Sequence, residues 1–286
     1  MFGPTASGKS EVAEALADGL GTEVVSADAL QVYRGLPILT NQPARPTRLV
    51  ANCDLDHEMS VGEYASAAHE AVDELVAANG TAVVAGGTGL YLRAALADLD
   101  LPPAPGAGAR ARWESAYDAD PHTAHDELAA RDPLAAAAVH PNDRRRVVRA
   151  LELAEAGSSL APPRESRLWS VKTRRPSFVA GLEVPPKRLD ERIRARAEAM
   201  LEAGVVEEVR QALAAGVSRT AEKALGLREL AELPADEALD CLVLRTRRYA
   251  AYQRKWMRRI PGIVMIDADR PAREVADAIL QVARAR

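Results

Sequence analysis

The chain has 286 residues, 48% of them apolar and only 4% aromatic, and carries a net charge of −4 from 37 Lys and Arg against 41 Asp and Glu. That length suits one large domain or a core carrying a smaller insertion, since domains usually run to roughly 100–200 residues. The net acidity excludes a protein that coats nucleic acid through a broadly basic surface, so any nucleic-acid contact must be local. The two cysteines, Cys53 and Cys241, stand far apart without a CxxC partner, which indicates neither a disulfide framework nor a thiolate zinc site and fits a reducing compartment. No stretch approaches the about 20 apolar residues of a membrane span, and Met1 leads straight into a glycine-rich motif with no room for a leader, so a cytoplasmic protein is expected.

The octet Gly3, Pro4, Thr5, Ala6, Ser7, Gly8, Lys9, Ser10 fits G-x-x-x-x-G-K-S and opens a helical pattern with Val12, Leu16 and Leu20 on one face. In such a P-loop the backbone N–H groups and the helix N-terminus hold phosphate oxygens, Lys9 adds a point charge, and Ser10 can ligate Mg²⁺. Only Met1 and Phe2 precede it, so the strand that leads into the loop is expected to be truncated, with a start placed several residues too late. Glu23 to Ser26 then reads as a short buried strand, and Thr81 to Ala85 as a second one, ending at Gly86-Gly87-Thr88-Gly89 before a helical Leu90-Tyr91-Leu92. This repeated strand, loop, helix order predicts a parallel sheet.

Ligands gather at the carboxyl ends of parallel strands, which brings the P-loop, the Asp28 to Gln31 segment and the Gly87 to Gly89 segment to one edge. An Asp or Thr after a strand is ordinarily a cap; beside a P-loop, Asp28 and Thr88 become candidates for chemistry. The second strand ends in Gly86 where a nucleotide hydrolase carries a Walker-B acid, and Asp267, after Ile263 to Ile266, reads as a chance match. The loop therefore suits binding of a diphosphate without nucleotide hydrolysis.

Leu101-Pro102-Pro103-Ala104-Pro105-Gly106 breaks the pattern, and helical spacing without a convincing strand follows until about Phe178, with Pro162-Pro163 and the polar run to Pro176 marking the return. Phe178 to Leu182 reads as a core strand, Leu189 to Ala203 as a helix stopped by Gly204, and Ile263 to Ile266 as a last strand before a terminal helix. The expected fold is α/β: a P-loop-like parallel sheet flanked by helices over 1–100 and 174–286, with an inserted all-helical domain over 101–173. The arginine runs 144–149 and 245–259 would ordinarily be solvated helix faces. His122 and His125 have HxxH spacing but no further ligands nearby, and both cysteines fit small buried apolar positions.

These motifs resemble the tRNA dimethylallyltransferase family, also called tRNA isopentenyltransferase. The resemblance rests on the octet with its Thr5 and Ala6, on Ser26-Ala27-Asp28-Ala29-Leu30-Gln31-Val32-Tyr33-Arg34-Gly35, and on Gly86-Gly87-Thr88-Gly89-Leu90-Tyr91. It continues through His140-Pro141-Asn142-Asp143 to Glu152, Arg192-Ile193 to Met200, and Thr246-Arg247-Arg248-Tyr249-Ala250 to Trp256, in family order over nearly the whole chain. The chain departs from the family pattern at Leu39-Thr40-Asn41-Gln42-Pro43, at Leu49 to Asp56, and at Ala251 and Tyr252, where Lys and Arg are usual.

The resemblance implies transfer of a dimethylallyl group from dimethylallyl diphosphate to N6 of adenosine 37, just 3′ of the anticodon, by a monomer using Mg²⁺. Gly3 to Ser10 and Arg196 would hold the diphosphate, and Lys9 and Arg196 would stabilise its developing charge. Asp28 would accept a proton or hydrogen bond from the amine, and Thr88 would position the base, which must be flipped out of the anticodon loop. Contacts to the tRNA anticodon stem-loop would fall on Asp28, Ala29, Leu30, Gln31, Thr88, Arg110, Arg145, Arg146, Val147, Val148, Arg149, Lys223, Gly226 and Arg228, with the inserted domain gripping from the opposite side. Three other readings stay open: a small-molecule or nucleoside P-loop kinase with an arginine lid, an adenylate isopentenyltransferase acting on free nucleotides, and an RNA-binding module with a vestigial P-loop.

Overall fold

The computed structural model describes residues 1–101, 106, 108–162 and 167–285; residues 102–105 and 163, part of the two proline segments named above, lie outside the described residues. The chain divides into two compact units, Met1–Asp98 with Val171–Arg286, and Leu99–Ser170. The first unit opens with α1 (Lys9–Leu20), β1 (Val24–Ser26), α2 (Val61–Asn79), β2 (Val83–Ala85) and α3 (Gly89–Leu96). The second contains α4 (Ala109–Ala119), α5 (Pro121–Arg131), α6 (Pro133–Ala138) and α7 (Arg144–Glu155). The first then resumes with β3 (Ala180–Glu183), α8 (Pro186–Glu202), α9 (Val205–Ala215), α10 (Leu227–Glu232), α11 (Ala235–Met257), β4 (Val264–Asp267) and α12 (Ala272–Arg284). The architecture is mixed α/β, mostly helical, with short parallel sheets. No helix among the described residues is long and apolar enough to cross a membrane.

Local chemistry sets the helix ends. Ser60 and Glu63 form a reciprocal capping box at the start of α2, and Gly21, at φ 63°, closes α1 with its N–H on the Ala17 and Asp18 carbonyls. Asp120 and Asp132 cap α5 and α6, whose first residues are prolines already set to helical φ. The same preference moves the start of α8 to Pro186, ahead of the Leu189 that periodicity suggests.

β1 and β2 pair in parallel with Val25 opposite Val84, and β3 and β4 pair in parallel with Leu182 opposite Ile266. Phe2 lies between the two pairs, forming parallel bridges to Gly86 on one side and Gly181 on the other. Its N–H donates to the Ala180 carbonyl and its carbonyl accepts from the Leu182 N–H, both at 2.8 Å, while the Gly86 N–H donates to the Met1 carbonyl at 3.2 Å. Phe2 is fully buried. Helices from both halves of the first unit pack on these strands through one core that includes Leu16, Leu182, Ile193, Val243 and Ile279. The second unit has its own core around Leu128, Val147, Val148 and Leu151.

Close backbone approach fixes Gly86: a Cβ there would stand 2.0 Å from the Ala27 carbonyl oxygen. Gly86→Ala should therefore cost about 1–3 kcal/mol of stability through forced backbone displacement, measured as a lower urea midpoint. Gly106→Ala, with no atom within 4 Å of its Cβ, should stay within about 0.5 kcal/mol of the parent; equal midpoints for the two variants would contradict this account of Gly86.

Candidate active site

The loop from Gly3 to Gly8 leaves the Phe2 link and turns back into α1. Ala6 and Gly8 both adopt left-handed backbone, at φ 61° and 83°. Glycine takes that conformation freely, whereas alanine does so at a cost of about 1–2 kcal/mol, so the surrounding contacts hold Ala6 there. Such alternation curls successive N–H groups into a concavity suited to anions. Ser7 is buried with its hydroxyl unpartnered, and a Cβ on Gly3 would stand 2.9 Å from that oxygen.

A cavity of about 600 Å³ opens beside this loop, lined by Thr5 to Ser10, Asp28, Leu30, Gln31, Arg196, Tyr249 and Gln253 among others. Its charges are arranged for an anion. Lys9 Nζ donates to the Pro4 carbonyl at 2.8 Å, and Arg196, on α8, donates to the Thr5 hydroxyl at 3.1 Å. Burial pushes the Lys9 ammonium down to about 8 from 10.5; the Asp28 charge opposes that shift and Arg196 adds to it. Burial likewise lowers Arg196, again opposed by Asp28. Lys9, Arg196 and the Asp28 and Glu11 carboxylates thus face the same volume, and neither cation is hydrogen-bonded to a carboxylate there. An arriving oxyanion would relieve their desolvation.

Asp28 follows β1, with its carboxylate accepting the Leu30 N–H at 3.0 Å. Thr88, which precedes α3, accepts the Ala29 N–H on Oγ1 at 3.3 Å, so the two post-strand loops touch. Gln31 is held by Ser26 Oγ, 3.0 Å from its Oε1, and donates to the Asn41 carbonyl at 2.8 Å; Gln42 donates to the Tyr33 carbonyl at 2.7 Å. The unusual Thr40-Asn41-Gln42 stretch therefore supplies the hydrogen bonds that hold the Asp28 loop. Two residues of the Thr246 to Trp256 stretch, to which the sequence assigned no role, complete the cavity. Gln253 joins the Thr5 N–H to the Gly87 carbonyl, at 2.7 and 2.9 Å, and Tyr249 lines the wall. Both stand on α11 one turn apart, and no signal in the sequence marks them except position within the matching C-terminal stretch.

Residues 31–260 match the model of the IPP transferase family. A tRNA dimethylallyltransferase of Kineococcus radiotolerans is 40% identical over 94% of this chain and 90% of its own, and one of Thermobifida fusca is 40% identical over 95% and 90%. Among solved structures, the tRNA isopentenylpyrophosphate transferase of Bacillus halodurans matches with a TM-score of 0.68 at 28% identity, over 99% of this chain and 94% of that one. A eukaryotic dimethylallyltransferase acting on tRNA shares the fold, with a TM-score of 0.79 at 24% identity over 99% of this chain and 78% of that one. The chain belongs to the tRNA dimethylallyltransferase family.

In this family member the residues read as tRNA contacts divide by environment. Asp28, Ala29, Leu30, Gln31 and Thr88 sit together as described. In the second unit, Arg145 and Arg146 are exposed on the first turn of α7, Arg146 lying 3.7 Å from Asp143. Arg149 and Arg110 both turn to the buried Glu152 carboxylate, at 3.0 and 3.7 Å. The Val147 and Val148 side chains, at 0% and 1% exposure, are core residues of α7, because the face opposite the arginines packs on α4 and α5. Lys223 is exposed, and Arg228 pairs with Glu222 and Glu232. Gly226 is buried at φ +89°, where a Cβ would meet Leu242 at 2.8 Å; its requirement is backbone geometry and packing. His125 donates from Nε2 to the Val139 carbonyl at 2.9 Å, and no group of three or more His, Cys, Asp or Glu able to hold a metal occurs among the described residues.

Proposed function

We propose that this protein transfers a dimethylallyl group from dimethylallyl diphosphate to N6 of adenosine 37 in tRNA, releasing diphosphate, on a P-loop core. The supporting observation is the convergence of Lys9, Arg196 and Asp28 on one cavity beside the Gly3 to Ser10 loop. As the C1–O bond loosens, the diphosphate takes the bonding electrons and the allylic carbon becomes cation-like, provided negative charge is accommodated on the leaving oxygens. The loop N–H groups, Lys9 and Arg196 supply that accommodation. The N6 amine then forms the new C–N bond at the allylic C1 as the C1–O bond breaks, and the amine proton passes to Asp28. Thr88, bonded to the backbone of the Asp28 loop, holds the base side of the cavity.

A divalent cation at this site would be shared with the substrate. With no three-carboxylate cluster among the described residues, the protein offers the Ser10 hydroxyl at the start of α1, and Mg²⁺ commonly completes its shell with substrate phosphates and water. Bound there, the ion would neutralise charge on the departing diphosphate. A kinase reading has less support: β2 ends in Gly86 where a Walker-B acid is needed, and Asp267, at the end of β4, caps its own turn by accepting the Asp269 N–H at 3.0 Å.

Incubation with dimethylallyl diphosphate, Mg²⁺ and unmodified tRNA should yield N6-(dimethylallyl)adenosine by nucleoside mass analysis; ADP formation from ATP with no mass gain on adenosine would overturn the assignment. Asp28→Ala should lower kcat by roughly 10²–10⁴-fold, the scale of a lost general base, while tRNA affinity by filter binding survives; near-normal turnover would remove the proton-accepting role. Because Lys9 loses its proton near pH 8 in the free protein, and an anionic donor needs the ammonium, kcat/KM for the donor should be highest below that pH and fall as pH rises through it. Lys9→Met should flatten that limb, and an identical alkaline limb in the variant would assign it to another group.

A further inference from the structure

Gln253 is only 2% exposed, and α11 carries it to a loop 248 positions away in sequence. Both ends of its amide are committed. Oε1 accepts the Thr5 N–H at 2.7 Å, and Nε2 donates to the Gly87 carbonyl at 2.9 Å. Thr88, the residue after Gly87, accepts the Ala29 N–H at 3.3 Å. A Cβ on Gly87 would stand 2.2 Å from Gln253 Nε2, so the amide occupies the space that a side chain at Gly87 would need.

Thr5 belongs to the loop that would hold the leaving diphosphate and also receives the Arg196 guanidinium at 3.1 Å. Gly87 and Thr88 belong to the loop that would seat the attacking base. Only a side chain that both accepts and donates can satisfy the Thr5 N–H and the Gly87 carbonyl together; a carboxylate accepts only, and an aliphatic group does neither. We propose that Gln253 is a positioning residue that fixes the separation between the leaving-group cradle and the nucleophile's loop, setting the alignment of attack. Displacement at carbon tolerates little error, and misplacement by about 1 Å costs on the order of 10²-fold. The inference rests on the transfer reaction proposed above.

The test requires wild-type protein that is active on the donor and tRNA. Gln253→Leu, folded by circular dichroism, should lose about 10²-fold in kcat and bind the donor more weakly. Gln253→Glu keeps the acceptor for Thr5 and loses the donor for Gly87, so its donor KM should stay near the wild-type value while kcat falls. A folded Gln253→Leu with wild-type kcat and KM, or two variants altered only in melting temperature, would overturn the proposal. Should Gln253→Leu not fold, the split between KM and kcat in Gln253→Glu decides, together with hydrogen exchange in the wild type. There the Thr5 amide should be protected, and exchange at the rate of an open loop would refute the clamp. A silent wild type would instead count against the transfer reading, leaving Thr5 protection to decide whether the clamp exists.

Discussion

Two hydrogen bonds from the Phe2 backbone, to Ala180 and from Leu182, tie one short parallel pair to the segment that bridges the other at Gly86. Without that link the β1-β2 and β3-β4 pairs would share no ladder, and the Gly3 to Gly8 loop would have no fixed point of departure. Isolated two-stranded pairs are marginal in water, so the joint and the helical core over it stabilise each other. The loop's left-handed Ala6 depends on this anchoring, since an unrestrained chain would relax away from a conformation that costs about 1–2 kcal/mol in an L-residue.

The electrostatics of the cavity follow from the same anchoring. Lys9 at the first turn of α1 and Arg196 in the middle of α8 are brought together by packing, and their mutual repulsion and desolvation are only partly offset by Asp28 and Glu11. A site that holds two poorly compensated cations is pre-set for a multiply charged anion, and the binding energy of that anion includes the relief of the strain. Neutral hydrogen bonds do the remaining alignment: Gln253 and Thr88 connect three loops without adding charge that would compete with the ligand.

The second unit shows the same economy in a different setting. On α7 the apolar face is consumed by packing, so Arg144, Arg145, Arg146 and Arg149 lie on the polar side, and Arg149 is steered by the buried carboxylate of Glu152, which also draws Arg110. A basic run of this kind becomes a shaped group of donors only where a buried acid orients part of it. Surface pairs such as Arg146 with Asp143 are exposed enough to be exchanged for a phosphate at small cost.

Periodicity and turn chemistry in the sequence located β1, β2, β3 and β4 to within two or three residues, because short apolar runs bounded by glycine carry their own signal. The octet and the residues after each strand were legible for the same reason: loop N–H groups, Lys9, Asp28 and Thr88 are placed by local geometry at strand ends. What only the tertiary structure decided is how distant segments meet. Gln253 and Tyr249 look like ordinary positions on a charged helix until α11 packs beside the Gly87 loop. Val147 and Val148 look like members of an arginine run until α7 buries one face. Sequence spacing fixes which residues share a helix face, but which face turns inward depends on the neighbours that cover it, and those come from far along the chain.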